Sequence, residues 1–134
     1  MDAIESAIRK SLCPGQQMLT FAGRVPFLVG EINDTALVLL VGKQQSRTVV
    51  GWKQLAAALD NLPHHQWIEV GSSFNVDGDP KTLDGALKEH VIKRAIANYV
   101  APVLVSAGFA EVDGGRPLRI KLTGPAISNP RRSD

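Results

Sequence analysis

The residues best able to do chemistry in this chain are cations and one amide in its C-terminal half: Lys88, Lys93, Arg94, Asn98, Arg116, Arg119 and Lys121. Arg and Asn can make paired hydrogen bonds to a base edge, and Lys is a point charge suited to phosphate. Lys93, Arg94 and Asn98 fall off the apolar stripe Ile92, Ile96, Val100, Val103, Leu104 and Ala107. That spacing predicts one long helix whose polar side carries all three toward solvent or a partner. Arg119 and Lys121 alternate with Leu118, Ile120 and Leu122, which places both cations on one strand face. Arg116 belongs to the turn before that strand. Charge is distributed in the same sense: residues 1–80 carry −2 and residues 81–134 carry +4. A polyanion is the partner such a half suits, although an excess this small is also an ordinary solvated face.

Other groups fail on spacing. His64 and His65 are adjacent, so they diverge, and no Cys or spaced His joins them as metal ligands. Asn75, Asp77 and Asp79 alternate like the start of a calcium loop, but Gly78 is misplaced and no Glu closes the loop. Ser72-Ser73 lacks the Gly-x-Ser-x-Gly elbow of a hydrolase. The run VGKQQS lacks the glycine spacing of a phosphate loop, and its Lys precedes no Ser or Thr. Cys13, beside the breaker Pro14-Gly15, reads as a small apolar residue rather than a reactive thiol. The expectation is therefore no catalytic residue, no metal and no cofactor: a protein that is not an enzyme.

The elements that must position the basic residues follow from periodicity. Residues 2–12 form an amphipathic helix on Ile4, Ala7, Ile8 and Leu12, with Glu5 and Arg9 paired four apart. Residues 18–32 are extended, and Gly23 and Pro26 make them an edge strand, a bulged strand or two short strands. A turn at Asn33-Asp34, an apolar strand over 35–41 and a strand over 47–50 complete a three-stranded β-meander. Helical period returns over 52–62, on Trp52, Leu55, Ala56, Leu59 and Leu62. A short strand at 67–70 and a polar loop over 71–80 come next. Thr82 is an N-cap type for a short helix containing Asp84, Leu83, Ala86 and Leu87. Gly108 can close the long helix in the left-handed region, and Asp113-Gly114-Gly115 marks a hairpin turn. Pro102 must bend or break the long helix, because it lacks an amide and crowds the carbonyl four residues back.

The pieces YVAPVLVSAGFAEVD and GRPLRIKLTG are, respectively, a helix stepping through a glycine into a strand and a wing returning into a strand. This third of the chain resembles the winged helix-turn-helix superfamily, in particular MarR-like regulators. The resemblance implies a DNA-binding transcription regulator, with the long helix reading bases and the hairpin reaching the backbone. The chain departs from MarR-like proteins in lacking their long dimerisation helices and in having a β-rich first half.

The reading is thus an α+β fold, a small N-terminal β-meander followed by a winged helix-turn-helix unit. One domain spans 1–127, with 2–50 as helix plus meander and 51–123 as the winged unit, and 128–134 is a disordered tail. Double-stranded DNA is the expected partner, bound by Lys88, Lys93, Arg94, Asn98, Arg116, Arg119 and Lys121, and a homodimer would supply two half-sites. The alternative is a winged-helix protein–protein interaction module with no direct nucleic-acid role. One Cys, no secretory pattern at the N-terminus and no apolar run near the ~20 residues of a membrane span make the cytoplasm the expected compartment.

Overall fold

A computed structural model describes residues 3–71, 81–115 and 117–123. The expected disordered tail 128–134, Arg116 and all but Gly71 of the expected polar loop 71–80 lie outside the described residues. Helix α1 (Ala3–Ser11) buries Ile4 and Ile8, one turn apart. On the adjoining stripe Arg9 meets Glu5 at 2.9 Å.

Four strands follow: β1 (Gln17–Leu19), β2 (Pro26–Ile32), β3 (Ala36–Val41) and β4 (Ser46–Gly51). They form one antiparallel sheet in chain order. The sequence reading expects three strands here; the sheet has four, because residues 18–32 break in two around Thr20. The Thr20 hydroxyl donates to the Ala22 carbonyl (2.8 Å) and accepts from the Val25 amide (2.9 Å). Gly23 and Arg24, both at positive φ, reverse the chain inside that clasp. The inner face buries Phe27, Val29, Leu37, Leu39 and Val50.

Strand β4 runs directly into α2 (Trp52–Asp60). The joint is held by the turn between β2 and β3. Asn33 Oδ1 accepts from the Thr35 and Ala36 amides, each at 3.0 Å, which fixes the turn. The Asn33 carbonyl then accepts from Trp52 Nε1 at 2.8 Å, and the Trp52 amide donates to the Thr35 carbonyl at 3.1 Å. A buried indole thereby keeps its one donor satisfied while bridging the sheet and the helix.

The rest comprises β5 (Trp67–Glu69), α3 (Leu83–His90), α4 (Ala97–Ser106), β6 (Ala110–Asp113) and β7 (Arg119–Leu122). The second sheet has the order β5-β7-β6, with both pairs antiparallel. In chain order this half is a helix, a strand, two helices and a hairpin whose last strand pairs with both β5 and β6. The fold is α+β. The Thr82 hydroxyl caps α3 by accepting from the Gly85 amide (3.0 Å). Gly108, at φ +81°, ends α4: its amide donates to Val105 (3.1 Å) and the Phe109 amide to Leu104 (2.9 Å). Those two bonds are a Schellman cap, and glycine supplies the left-handed residue it needs.

The core buries Phe27, Leu37, Leu39, Trp52, Leu55, Leu59, Ile68, Leu87, Ile96, Val100, Leu104, Ile120 and Leu122. They belong to one continuous cluster that runs from α1 to β7. Among the described residues no helix is long and apolar enough to cross a membrane.

Helix α4 differs from expectation in where it begins. The long helix predicted from Ile92 starts at Ala97, with Ile96 as its N-cap residue. Residues 91–96 form a turn in which the Arg94 amide donates to the Ile92 carbonyl (2.8 Å). Pro102 lies inside α4, in its second turn, and leaves the Asn98 carbonyl without an amide from residue 102.

The Trp52 joint generates a prediction. Trp52→Phe keeps an aromatic ring but leaves the Asn33 carbonyl without its indole donor. A loss of about 1–3 kcal/mol is expected in urea unfolding followed by far-UV circular dichroism. A variant as stable as the wild type would mean that this bond does not hold the joint.

Candidate nucleic-acid interface

Lys88 is not a surface cation. Its side chain is 2% exposed, and Nζ lies 3.1 Å from Asp84 Oδ2, whose side chain is also 2% exposed. Helix α3 explains this, since its consecutive residues Leu83 to Lys88 are all buried. Gly71 passes so close that a Cβ there would meet Thr82 at 3.0 Å and Asp84 at 3.2 Å, and its φ of +73° favours glycine as well. Two charges four residues apart on a helix buried on all sides can stay inside only as a pair. The signal was present in the sequence as the spacing of Asp84 and Lys88.

Lys93 and Arg94 are exposed, but they stand with exposed Ala95 in the turn between α3 and α4 rather than on the long helix. Asn98 remains on α4, in its first turn, half-buried. The helix expected to read bases, ANYVAPVLVS, therefore carries no cation. Six of its residues are buried: Ala97, Val100, Ala101, Pro102, Val103 and Leu104. Only Ser106 of the ten is exposed. Helix α4 contacts α3 and β6 from the second half of the chain and α1 and β1 from the first half. The Phe27 and Tyr99 rings meet edge to face, with centroids 5.3 Å apart.

Arg119 and Lys121 do share the outer face of the second sheet, as the alternation requires. The register sets Arg119 between Glu69 and Asp113, and Lys121 between Trp67 and Glu111. This face thus holds two cations among three carboxylates, one net negative charge. Lys121 Nζ lies 4.8 Å from the centroid of the Trp67 ring. Such a cation–π contact at an exposed site stabilises by about 0.5–1 kcal/mol. Trp67 is 44% exposed. Sequence reasoning missed it as a surface residue, although its phase was legible: Ile68 and Val70 point inward, so Trp67 and Glu69 must point outward. A cleft of about 450 Å³ opens beside it, lined by Asn61 and Pro63 after α2, by Trp67 and Glu69, and by Lys81 and Thr82.

The seven sequence-predicted residues therefore do not form one interface. Lys88 is internal, Lys93 and Arg94 occupy a turn, and Asn98 belongs to a helix that is mostly core. Arg119 and Lys121 are interleaved with acids, and Arg116 is outside the described residues. His64 has a local role: its Nε2 lies 3.1 Å from the Leu59 carbonyl near the end of α2. Among the described residues no group of three or more His, Cys, Asp or Glu side chains could hold a metal ion. No protein-family model, no curated protein and no solved structure matches the chain.

The buried pair supplies the prediction of this section. Lys88→Met leaves the Asp84 carboxylate buried without its cation, and about 3–5 kcal/mol of stability should be lost. Adding Asp84→Asn removes the stranded charge and should recover more than half of that loss in the same denaturant titration. If the double variant is no more stable than Lys88→Met, the pairing is not what makes Lys88 tolerable inside.

Proposed function

We infer that this chain is an interaction module of winged-helix build that engages a protein partner. One observation carries the reading. The helix in the base-reading position, α4, has no cation and is packed on both sides, with Ser106 its one exposed residue. Phosphate contacts dominate affinity for duplex DNA, and base contacts need side chains that reach the groove. A buried, uncharged helix provides neither. Among the described residues, the outer face of the second sheet offers a different kind of surface. There Trp67 offers an aromatic anchor, and Glu69, Glu111 and Asp113 outnumber Arg119 and Lys121. Its complement is a protein surface with basic side chains around an apolar contact. A cytoplasmic site of action goes with this reading, on the single free thiol at Cys13.

DNA-binding regulation is the second reading, favoured by the adjacent exposed cations Lys93 and Arg94. Those two would give a salt slope of only about −1.8 on duplex DNA, the signature of weak contact.

The two readings separate in one experiment. Wild type, Trp67→Ala and Lys93→Ala/Arg94→Ala are immobilised and exposed to native extract digested with nuclease. In parallel they are titrated with labelled random-sequence duplex at two salt concentrations. The protein reading expects a stoichiometric protein partner retained by the wild type and lost by Trp67→Ala, with duplex affinity indifferent to the Lys93 and Arg94 changes. Salt-dependent duplex binding that disappears with Lys93→Ala/Arg94→Ala, and no protein partner, would overturn it.

A further inference from the structure

We propose that the free edge of β4 pairs with the β4 edge of a second copy of this chain, joining two four-stranded sheets into one across a two-fold axis. Strand β4 ends the sheet order, so among the described residues one side of it is not paired with another strand of the sheet. Its pairing with β3 is regular over six positions, Ala36↔Gly51 to Val41↔Ser46, with no bulge. The Trp52 amide bonds to the Thr35 carbonyl, and in an antiparallel ladder bonded positions alternate. Val50 and Thr48 therefore turn their main-chain groups toward β3. Arg47, Val49 and the Gly51 amide turn theirs to the open side.

Natural edges are guarded by proline, bulges or inward-pointing charges. The sequence of β4, SRTVVG, has none of these. Its inward residues Thr48 and Val50 are buried and uncharged, and its central outward residue, Val49, is 46% exposed. Its one charged residue, Arg47, is already neutralised: Nη1 lies 2.9 Å from Glu31 Oε2 on β2.

The edge is also self-complementary. Antiparallel pairing about Val49 sets the two Val49 side chains against each other and hides both. It sets Arg47 of each copy opposite Gly51 of the other. Gly51 has no side chain of its own, and the exposed Gln54 carboxamide occupies the place where its Cβ would be. The two arginines are then separated by four residues of strand, roughly 13 Å, beyond a physiological Debye length of about 8 Å. The Val49 and Gly51 amides reach the Val49 and Arg47 carbonyls of the other copy. This geometry needs no long dimerisation helix, and it leaves the Trp67 face unused.

The test is solution mass by sedimentation velocity across a concentration series, with amide hydrogen exchange at Val49 and Gly51. The wild type is expected to approach twice the 14.4 kDa chain mass. Val49→Pro removes an amide that points away from β3, so it costs the chain no ladder bond. Val49→Lys places a charge at the axis and keeps the amide. Both should sediment as monomers, with unchanged far-UV circular dichroism and at least tenfold faster exchange at Gly51. Should Val49→Pro fail to fold, Val49→Lys alone decides. A wild type that stays monomeric throughout, or a dimer that persists in folded Val49→Lys, overturns the proposal.

Discussion

Helix α4 has no charged residue, and an uncharged ten-residue helix cannot leave much of its surface in water. The rest of the structure depends on covering it. The second half of the chain supplies α3 and β6, and the first fifty residues supply α1, β1 and the Phe27 ring against Tyr99. The four-stranded sheet is therefore not an appendage to the second half of the chain. It is the second wall of the same core, which is why one cluster of buried residues runs from Ile4 to Leu122. Each fully buried Val or Leu contributes about 1.5–3 kcal/mol relative to exposure. Val100, Val103 and Leu104 are all at or below 1% exposure. Packing on that scale can hold a helix with Pro102 in its second turn, since the lost main-chain bond is worth less than the contacts around it.

Burial on all sides has a cost one helix earlier. Helix α3 must approach closely enough that only glycine fits at position 71, and this leaves no solvent-facing stripe for Asp84 and Lys88. Desolvating two charges is unfavourable, and their attraction offsets it only when geometry is good. The 3.1 Å contact between Asp84 Oδ2 and Lys88 Nζ is such a geometry, although Oδ1 has no hydrogen-bond partner among the described residues. A pair of this kind adds little net stability, but it penalises any packing of α3 that separates the charges.

What the sequence made legible was periodicity. The apolar stripes of the helices, the caps at Thr82 and Gly108 and the hairpin after α4 all rest on local rules of spacing and turn chemistry. What it concealed were tertiary effects. The Thr20 clasp that splits the first strand depends on a hydroxyl reaching both Ala22 and Val25, which no alternation pattern announces. The start of α4 was misplaced because Ile92 has the right phase for the helix, yet the chain must turn at 91–96 before Ile96 can enter the core. Lys88 was misplaced because a helix that is half polar in sequence was read as half exposed. The candidate site inherited these errors, since Lys93, Arg94 and Lys88 were grouped by a helix face that does not exist.

Once α4 is closed off, the exposed functional groups are left on turns and sheet margins. That distribution favours recognition of a shaped, chemically mixed surface over recognition of a regular polyanion. Duplex DNA rewards rows of cations free of neighbouring carboxylates, whereas each cation on the second sheet has a carboxylate across the ladder. A protein partner rewards an aromatic anchor surrounded by charges of both signs, and Trp67 with Lys121 over its ring, beside Glu69 and Glu111, is an arrangement of that type. The core thus determines the surface. Because α4 is consumed in joining the two halves, the outer face of the second sheet is left to carry the proposed protein contact.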